Sequence, residues 1–228
     1  MFVRIPQVLN EEQLRETCAA LGAAEAPWAD GRATAGHQGA RVKNNEQLDE
    51  ASDLAHELGG AIVKSLERNP LFISAVLPSR VYPPMFNRYG AGMNFGTHVD
   101  GVVRAIPGSP HKLRTDLSAT VFLAPLQSYD GGELVVESDF GDQSVRLPAG
   151  DMIVYSSGSR HRVNPVTRGR RLASVFWIQS LIRDDKRREQ LFELDRTIQR
   201  LTQLGSDNDC LVRLAAHYHA LLHQWSEL

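Results

Sequence analysis

The chain has 228 residues, a length that fits one domain with or without a short appendage. Hydrophobic residues make up 42% of the sequence and charged residues 23%, so the chain can build a core, and a mainly disordered chain is excluded. The net charge of −2 argues against binding to nucleic acid or to a membrane surface. Two cysteines are too few for a disulfide framework, and no secretory or membrane-spanning apolar run is present, so we expect a cytoplasmic protein.

The N-terminal part of the chain carries two helical patterns. Asn10 followed by Gln13 resembles a capping box and predicts a helix that begins directly after Asn10. A glycine-containing loop is predicted over residues 25–45. Apolar residues then recur at three- and four-residue steps, which predicts a second helix that starts near Glu46 and ends before Pro70.

The middle of the chain is predicted to consist of short strands. Segments rich in Val, Ile, Phe and Tyr alternate there with Gly, Pro and Asp turns, and they are 71–77, 80–89, 93–99, 116–124, 133–137, 143–147, 151–156, 161–166 and 170–179. Many short strands at this spacing are typical of an all-β sandwich or barrel rather than an alternating βαβ chain.

A helical period returns after residue 180. Two apolar stripes separated by Gly205 predict two C-terminal helices. We therefore expect an α+β protein in which residues 1–180 form one domain, with helical support over 1–70 and a jelly roll over 71–180. Residues 181–228 would form an appendage, packed on this domain or against a second copy in a homodimer.

Two histidines and one aspartate form the candidate metal site. His98 and Asp100 are two residues apart at the end of a predicted strand, so both side chains can face one ion. His161 begins a later strand, which in a two-sheet jelly roll can face the first strand across the mouth. Two imidazoles and one carboxylate on one face of a metal leave other positions open, a pattern that suits non-haem Fe(II) in O₂ chemistry.

Arg171 is the candidate anion-binding residue. It follows His161 by ten residues on the next predicted strand, where a buried guanidinium needs an anion. A carboxylate is its natural bidentate partner. A dicarboxylate could bind the metal at one end and Arg171 at the other, which suggests a 2-oxo dicarboxylic acid as co-substrate. Because neighbouring strand residues face opposite sides, the choice of Arg171 over Arg170 depends on the strand register.

Other functions fit parts of this pattern. A His-x-Asp pair alone is common by chance, so the prediction depends on the whole set of residues. The main alternative is a non-enzymatic jelly-roll module that binds a metal or a small ligand. A cupin-like enzyme without a co-substrate is a third possibility, but it would usually have more histidines around the metal and no Arg171.

Four stretches carry a family resemblance, and they are VKNNEQL, NRYGAGMNFGTHVDG, LSATVFLAPLQSYDGGELV and LPAGDMIVYSSGSRHRVNPVTRGRRLASVFWIQS. Together they resemble the bacterial PKHD-type hydroxylases, Fe(II)/2-oxoglutarate dioxygenases related to prolyl 4-hydroxylases. The resemblance extends over nearly the whole chain. It implies a double-stranded β-helix and a dioxygenase that hydroxylates an unidentified substrate while 2-oxoglutarate is converted to succinate and CO₂.

The resemblance also implies roles for individual residues. His98, Asp100 and His161 would bind Fe(2+), and Arg171 would pair with a carboxylate of 2-oxoglutarate. Tyr89 would hydrogen-bond the same carboxylate, although a purely structural tyrosine fits its position equally well. The family is associated with L-ascorbate, which keeps the iron reduced, and with iron homeostasis, so both are expected here. O₂ is the second co-substrate, and the substrate could be a protein side chain or a small molecule.

Three further features have open interpretations. The segment 101–113 after the metal strand could be a lid or a plain hairpin. The polar cluster Gln38, Lys43, Asn44 and Asn45 could line the substrate entrance or be a solvated loop. His219 and His223 share a helix face but lack a third ligand, which favours surface histidines.

Overall fold

The computed structural model describes residues 1–138 and 141–227. Two antiparallel β-sheets lie at its centre, and helices cover one face of the larger sheet. The α-helices within the described residues are α1 (Glu11–Gly22), α2 (Asp53–Glu67), α3 (Pro70–Val76), α4 (Asp185–Gln203) and α5 (Asn208–Trp225). None of them is long and apolar enough to cross a membrane.

The strands, numbered in chain order, form a major sheet, a minor sheet and two small ribbons. The major sheet has the order β1 (Phe2–Ile5), β14 (Met152–Ser156), β10 (Leu117–Phe122), β17 (Arg171–Ser180), β6 (Met85–Tyr89), β4 (Glu46–Leu48) and β2 (Trp28–Asp30), and β5 (Pro78–Val81) also pairs with β17. The minor sheet has the order β13 (Gln143–Val145), β12 (Leu134–Val136), β15 (His161–Val163), β7 (Asn94–His98) and β3 (Lys43–Asn44). The ribbons are β8 (Val103–Ala105) with β9 (Lys112–Arg114), and β11 (Tyr129–Gly131) with β16 (Val166–Gly169).

The two sheets pack face to face around a shared apolar cluster. Phe122 and Ile153 of the major sheet meet Leu134 and Val163 of the minor sheet there. This arrangement confirms the predicted α+β class with a double-stranded β-helix, or jelly roll, at its core. The functional site lies between these sheets.

Residues of the major sheet alternate between two environments. In β10, Leu117 and Val121 belong to one buried cluster with Ile62 of α2. The side chains of Ser118 and Phe122, which belong to the other face of the strand, point into the space between the sheets. The whole strand is buried because helices cover one of its faces and the minor sheet covers the other. Polar residues at the inward positions are therefore available for a site.

The prediction of a strand over residues 71–77 was wrong, because that segment forms α3. Asn69 caps this helix by accepting a hydrogen bond from the Phe72 backbone N–H, and Pro70 occupies the first turn. Leu77 ends the helix in the left-handed conformation, with φ at 47°. The β-branched and aromatic residues that suggested a strand instead bury one face of this short helix.

The N-terminal part also differs from the prediction. The α1 capping box is confirmed, since Asn10 and Gln13 exchange both expected hydrogen bonds. The second helix, however, begins at Asp53 and not near Glu46, because residues 46–48 form β4 and pair with β6. The predicted loop over 25–45 includes two short strands, β2 and β3, and two 3₁₀ turns.

The two predicted C-terminal helices are confirmed as α4 and α5. Asp207 caps α5 through the Cys210 backbone N–H, and Gly205 before it has a positive φ of 67°. Side chains of α5, including Leu221 and Trp225, pack on a small buried cluster that contains Leu191. The apolar stripe of α5 therefore contacts the rest of the same chain.

Two glycine substitutions test the backbone requirements of the fold. Gly150 has φ of +91°, and a Cβ there would lie 2.7 Å from the Leu9 carbonyl oxygen. We expect Gly150→Ala to lower the free energy of unfolding by about 1–3 kcal/mol.

Gly60 lies exposed in α2 with open space around it, so Gly60→Ala should raise the free energy of unfolding by about 0.5–1 kcal/mol. Urea titrations of both variants check the two signs, and a stabilising Gly150→Ala would contradict the first.

Candidate functional site

His98, Asp100 and His161 lie together at one end of the space between the sheets. One potential ligand atom from each side chain lies within 4.8 Å of the other two. His161 Nε2 is 3.7 Å from Asp100 Oδ2, and the two imidazole centroids are 4.2 Å apart. Within the described residues, these three side chains form the group of His, Cys, Asp or Glu residues that is close enough together to hold a metal ion.

The strands that carry the two histidines are neighbours in one sheet. β7 and β15 pair antiparallel, and His98 lies directly opposite His161. The expectation that these strands face each other across the mouth was therefore wrong. Side chains directly opposite each other on one face of an antiparallel pair are close, which explains how residues distant in sequence meet here.

Both imidazoles are held in the tautomer that a metal needs. His98 Nδ1 lies 2.8 Å from the Gly96 carbonyl oxygen, and His161 Nδ1 lies 3.1 Å from the Ser159 carbonyl oxygen. A carbonyl only accepts hydrogen bonds, so each Nδ1 donates, which leaves Nε2 of each ring as the nitrogen that can bind a metal. Burial, and secondarily the neighbouring His161, lower the pKa of His98 to about 4, so this ring is neutral at physiological pH.

A serine pair orients the carboxylate of Asp100. Ser118 Oγ donates a 2.6 Å hydrogen bond to Asp100 Oδ2, and it lies 2.9 Å from Ser157 Oγ. Ser118 occupies an inward position of β10, which explains why it reaches the site. The carboxylate is thus fixed by a hydrogen-bond donor on the opposite sheet, as hydrogen-bond partners of metal ligands fix those ligands in other proteins.

Arg171 lies deep in the same space, at the start of β17. It is 1% exposed, whereas its neighbour Arg170 is exposed, as the alternation of strand residues predicts. Its guanidinium carbon lies 5.3 Å from the Tyr89 ring and 5.4 Å from the Phe122 ring. Nε and Nη2 have no hydrogen-bond partner, and no carboxylate lies within 4.0 Å, among the described residues. A buried cation with free N–H groups is costly unless an anion binds it.

One tyrosine lies beside this guanidinium, and a second contacts the ring of His161. Tyr89 is directly opposite Arg171 in the pairing of β6 with β17. Tyr155 of β14 contacts the His161 ring edge-on, with centroids 5.2 Å apart. Burial raises the pKa of both phenols, so both keep their protons and can donate hydrogen bonds.

The site opens into a cavity of about 600 Å³ between the sheets. The triad, Arg171, Tyr89 and Tyr155 line it together with residues nearer the mouth. Among the polar residues predicted around the entrance, Gln38 and Lys43 line the cavity, whereas Asn44 is exposed and Asn45 is buried. The segment 101–113 contains most of the β8–β9 ribbon, which confirms a hairpin there, and a lid role stays a prediction.

Several residues of the site were not predicted, and Phe95 shows why. Its ring stacks on the His98 ring at 3.6 Å although it lies three positions away, on the opposite face of a regular strand. A register shift brings them together, since Val163 pairs with Phe95 while His161 pairs with His98. Alternation along their strands is the signal that could identify Ser118 and Tyr155, but alternation alone does not tell which face of a strand points inward.

The C-terminal histidines do not join the site. His219 and His223 are exposed on α5, as the surface interpretation predicts. Trp177 is buried in the cavity wall, and its neighbour Phe176 belongs to the buried cluster that includes residues of α2.

The residues fit an Fe(II) ion with a dicarboxylate co-substrate. Two imidazole nitrogens and one carboxylate form the facial donor set of non-haem Fe(II) oxygenases. The unpartnered N–H groups of Arg171 fit the far carboxylate of a co-substrate in the same cavity.

Sequence and structure comparisons agree with this chemistry. Residues 84–179 match the model of the 2OG-Fe(II) oxygenase superfamily, and residues 185–227 match that of the PKHD-type hydroxylase C-terminal domain. A PKHD-type hydroxylase of Cupriavidus pinatubonensis is 58% identical over 227 residues, with full coverage of both chains.

Solved structures share the fold at low sequence identity. A prolyl-4-hydroxylase of Pseudomonas putida matches with a TM-score of 0.53 and 21% identity, over 78% of this chain and 92% of that one. A prolyl hydroxylase from Trichoplax adhaerens, solved with a hypoxia inducible factor oxygen degradation domain peptide fragment, matches with a TM-score of 0.55 and 16% identity, over 83% and 86%. Since full-length identity to a named hydroxylase exceeds half, the chain belongs to the PKHD-type hydroxylases, enzymes of the 2OG-Fe(II) oxygenase superfamily that use Fe(II), 2-oxoglutarate and O₂.

Proposed function

We propose that this enzyme hydroxylates a C–H bond of a substrate still to be identified. In this proposal His98, Asp100 and His161 bind Fe(II), and Arg171 binds the far carboxylate of 2-oxoglutarate. The observation that carries the proposal is the convergence of three metal-binding side chains and one unpaired buried guanidinium on a single cavity. A metal-binding module without catalysis would have no use for the unpaired buried guanidinium of Arg171.

The metal and co-substrate supply the oxidising chemistry, in which O₂ and 2-oxoglutarate become succinate and CO₂ and one oxygen atom enters the substrate as a hydroxyl group. The protein side chains position and shield these groups. The backbone carbonyls of Gly96 and Ser159 hold the imidazoles so that each Nε2 can bind the metal. Ser118 holds the Asp100 carboxylate, and the two packed sheets exclude bulk water.

Arg171 and Tyr89 are assigned to the co-substrate. The guanidinium offers free Nε and Nη2 donors in a fork that matches a carboxylate. Tyr89 lies opposite it in the sheet, and its raised pKa leaves a protonated hydroxyl that can donate to the same carboxylate. The aromatic rings of Tyr89 and Phe122 keep water away, which strengthens the charge pair.

The test combines binding with product detection. Calorimetry of the Ni(II)-loaded protein should show 2-oxoglutarate binding, and the Fe(II) enzyme should consume O₂ only when 2-oxoglutarate is present. Cell extract treated with active enzyme should contain a product heavier by one oxygen atom, detected by mass spectrometry. The same extract treated with His98→Ala should lack it. Failure of the metal-loaded protein to bind 2-oxoglutarate would refute the proposal.

Ser118→Ala tests how the carboxylate ligand is oriented. Loss of its hydrogen bond to Asp100 should reduce metal affinity by about 10- to 100-fold, because groups that orient metal ligands contribute on this scale. Titration with Mn(II) followed by electron paramagnetic resonance measures the affinity. Ser128→Ala, at an exposed turn away from the site, is the control and should bind Mn(II) like the wild type. Equal affinities for both variants would contradict the role of Ser118.

The resemblance supports further parts of the proposal. We assign L-ascorbate as the reductant that keeps iron ferrous, and we place the enzyme in the cytoplasm with a role in iron homeostasis. The two free thiols, Cys18 and Cys210, agree with a reducing compartment. The division into a catalytic domain over 1–180 and an appendage over 181–228, and a homodimer, also belong to this proposal. An unchanged iron content in cells lacking the enzyme would contradict the homeostatic role.

A further inference from the structure

Two cationic side chains line the outer part of the cavity without a carboxylate partner. They are Lys43 of β3 and Arg104 of β8, which reach the cavity from different elements. Within the described residues, neither forms an ion pair within 4.0 Å. Neither is needed to bind the metal or the far carboxylate of 2-oxoglutarate.

Lys43 is a buried ammonium with an unused donor. The residue is 7% exposed, and its Nζ donates to Thr34 Oγ1 at 3.2 Å and to Gln47 Oε1 at 2.9 Å. An ammonium has three N–H donors, so these neutral partners leave one free. Burial lowers the pKa of Lys43 to about 8, so the side chain remains protonated at pH 7. A buried cation held only by neutral groups is costly unless a ligand supplies an anion.

Arg104 lies against two aromatic rings. Its guanidinium carbon lies 3.9 Å from the Trp177 ring centre and 5.1 Å from the Tyr82 ring centre. These cation–π contacts hold the guanidinium at the cavity wall, where its N–H groups can donate to an anionic acceptor. Trp177 adds a further donor, since its buried Nε1 has no hydrogen-bond partner among the described residues.

The charges near these groups leave room for one anion. Glu50, Asp100 and Asp30 are the carboxylates that act on Lys43, but Asp30 is paired with Arg32 and Asp100 belongs to the metal-binding set. Glu50 is left, and it already accepts hydrogen bonds from Gln47 Nε2 at 3.0 Å and from the Tyr82 hydroxyl at 3.3 Å. Two cations and one carboxylate leave an excess of one positive charge. In the proposed complex, the ferrous ion, Asp100, Arg171 and the 2-oxoglutarate dianion balance one another, so the excess is not used by the co-substrate.

The cationic pair lies close to the metal-binding residues. Lys43 Nζ is 5.4 Å from the centre of the Phe95 ring, and this ring stacks on His98 at 3.6 Å. Lys43 and the metal-binding imidazole of His98 therefore both lie against the Phe95 ring. A group bound by Lys43 would hold the rest of its molecule inside the cavity, beside the reacting centre.

We propose that Lys43 and Arg104 bind a carboxylate group of the substrate that is hydroxylated, and that Trp177 and Tyr82 contact its apolar part. This inference rests on the proposed function and names the substrate class as a carboxylate-bearing molecule. A carboxylate is favoured over a phosphate monoester because the region has one excess positive charge, and a phosphate monoester carries nearly two negative charges. The carboxylate can belong to a free acid or to an acidic side chain of a peptide.

The experiment uses the full chain loaded with Ni(II) and saturating 2-oxoglutarate, so that Arg171 is occupied. The probes are 3-phenylpropanoate and its neutral analogue 3-phenylpropanamide. Binding is followed by fluorine NMR of protein labelled with 5-fluorotryptophan, in which the Trp177 signal reports on the cavity. We expect the acid to bind at least about tenfold more tightly than the amide, as charge-assisted hydrogen bonds contribute on this scale.

Three variants test whether Lys43 and Arg104 are the residues that make the acid bind more tightly than the amide. Lys43→Met and Arg104→Gln should each reduce the acid-to-amide ratio towards one. Lys112→Met, which removes an exposed cation of the same ribbon outside the cavity, should keep the wild-type ratio. Equal binding of acid and amide to the wild type, or a wild-type ratio in both cavity variants, would overturn the inference. Thermal melts of each variant show whether a change in ratio comes from loss of folding.

Two further measurements complete the experiment. One distinguishes a peptide carboxylate from that of a small molecule, and the other distinguishes failure of this inference from failure of the proposed function. A capped peptide with one glutamate is compared with its glutamine counterpart, and a preference for glutamate there identifies a peptide source. A preference confined to the free acid identifies a small molecule. Calorimetry of 2-oxoglutarate with the wild type tests the proposed function by itself. Normal 2-oxoglutarate binding without any carboxylate preference refutes only the inference.

Discussion

Arg171→Met is expected to weaken 2-oxoglutarate binding by about 2–5 kcal/mol, or about 30- to 5,000-fold, the range for removing one partner of a buried charge pair. The Arg171 guanidinium is almost fully buried, and its free Nε and Nη2 donors lie among aromatic rings. Without it, the far carboxylate of the co-substrate would be desolvated with no cation to compensate. Calorimetry of the Ni(II)-loaded variant measures the loss.

The same substitution should not destabilise the protein without ligand. An unpaired buried guanidinium is unfavourable, and replacing it with an apolar side chain of similar length removes that cost. We therefore expect a melting temperature at or above the wild-type value for the ligand-free variant. Added 2-oxoglutarate should raise the melting temperature of the wild type, because a ligand that binds only the folded state stabilises it, but not that of the variant.

Arg170→Met is the matched control, since Arg170 is adjacent in sequence and exposed. It removes the same charge from the opposite face of the strand and should leave 2-oxoglutarate affinity unchanged. An unchanged affinity in Arg171→Met, or an equal loss in both variants, would refute the assignment of the co-substrate carboxylate to Arg171.

The position of Arg171 illustrates what the sequence could predict. That Arg170 and Arg171 face opposite sides follows from the period of two along a strand. Which of the two faces the cavity depends on the strand register, which the pairing of β17 with β6 supplies. The meeting of His98 with Asp100 likewise needs only a two-residue spacing. Such features depend on local geometry, and local geometry is readable from one sequence.

Features that depend on distant pairing were harder to predict. Residues 46–48 have apolar spacing compatible with a helix, but they become β4 because β6 offers hydrogen-bond partners about 40 residues away. The stacking of Phe95 on His98 requires an extra residue in β7, and a bulge has no clear signal in these residues. The outer cavity was equally hidden, since Arg104 and Trp177 meet only when the β8–β9 ribbon lies over β17.

The short helix α3 was missed for a different reason. Leu71 to Leu77 includes Phe, Ile and Val, which favour strands, but Asn69 and Pro70 provide a helix start. The cap and the burial of Phe72 against the core outweigh the intrinsic preferences of seven residues. Asn69 and Pro70 therefore mark both the end of α2, as predicted, and the start of α3, which the strand prediction missed.

His98→Ala is the second substitution for which we expect a large effect. It removes one of three metal-binding side chains, so the affinity for Mn(II) should fall by more than about 100-fold, the upper limit for residues that only orient a ligand. Consumption of O₂ that depends on 2-oxoglutarate should fall to background, because the remaining His161 and Asp100 do not hold the metal firmly. Metal content after dialysis and oxygen-electrode measurements check the two effects.

His219→Ala separates loss of a metal-binding histidine from loss of any histidine. His219 is exposed on α5, and in the described part of the chain it belongs to no group of side chains that could hold a metal ion. This variant should therefore bind Mn(II) and consume O₂ like the wild type. His98 is only partly buried, and its ring contacts Phe95 and His161, so alanine leaves space near the surface rather than deep in the core. If His98→Ala retains metal and 2-oxoglutarate-dependent O₂ consumption while folded, Fe(II) is not held by this triad, and the metal-dependent part of the proposed function fails.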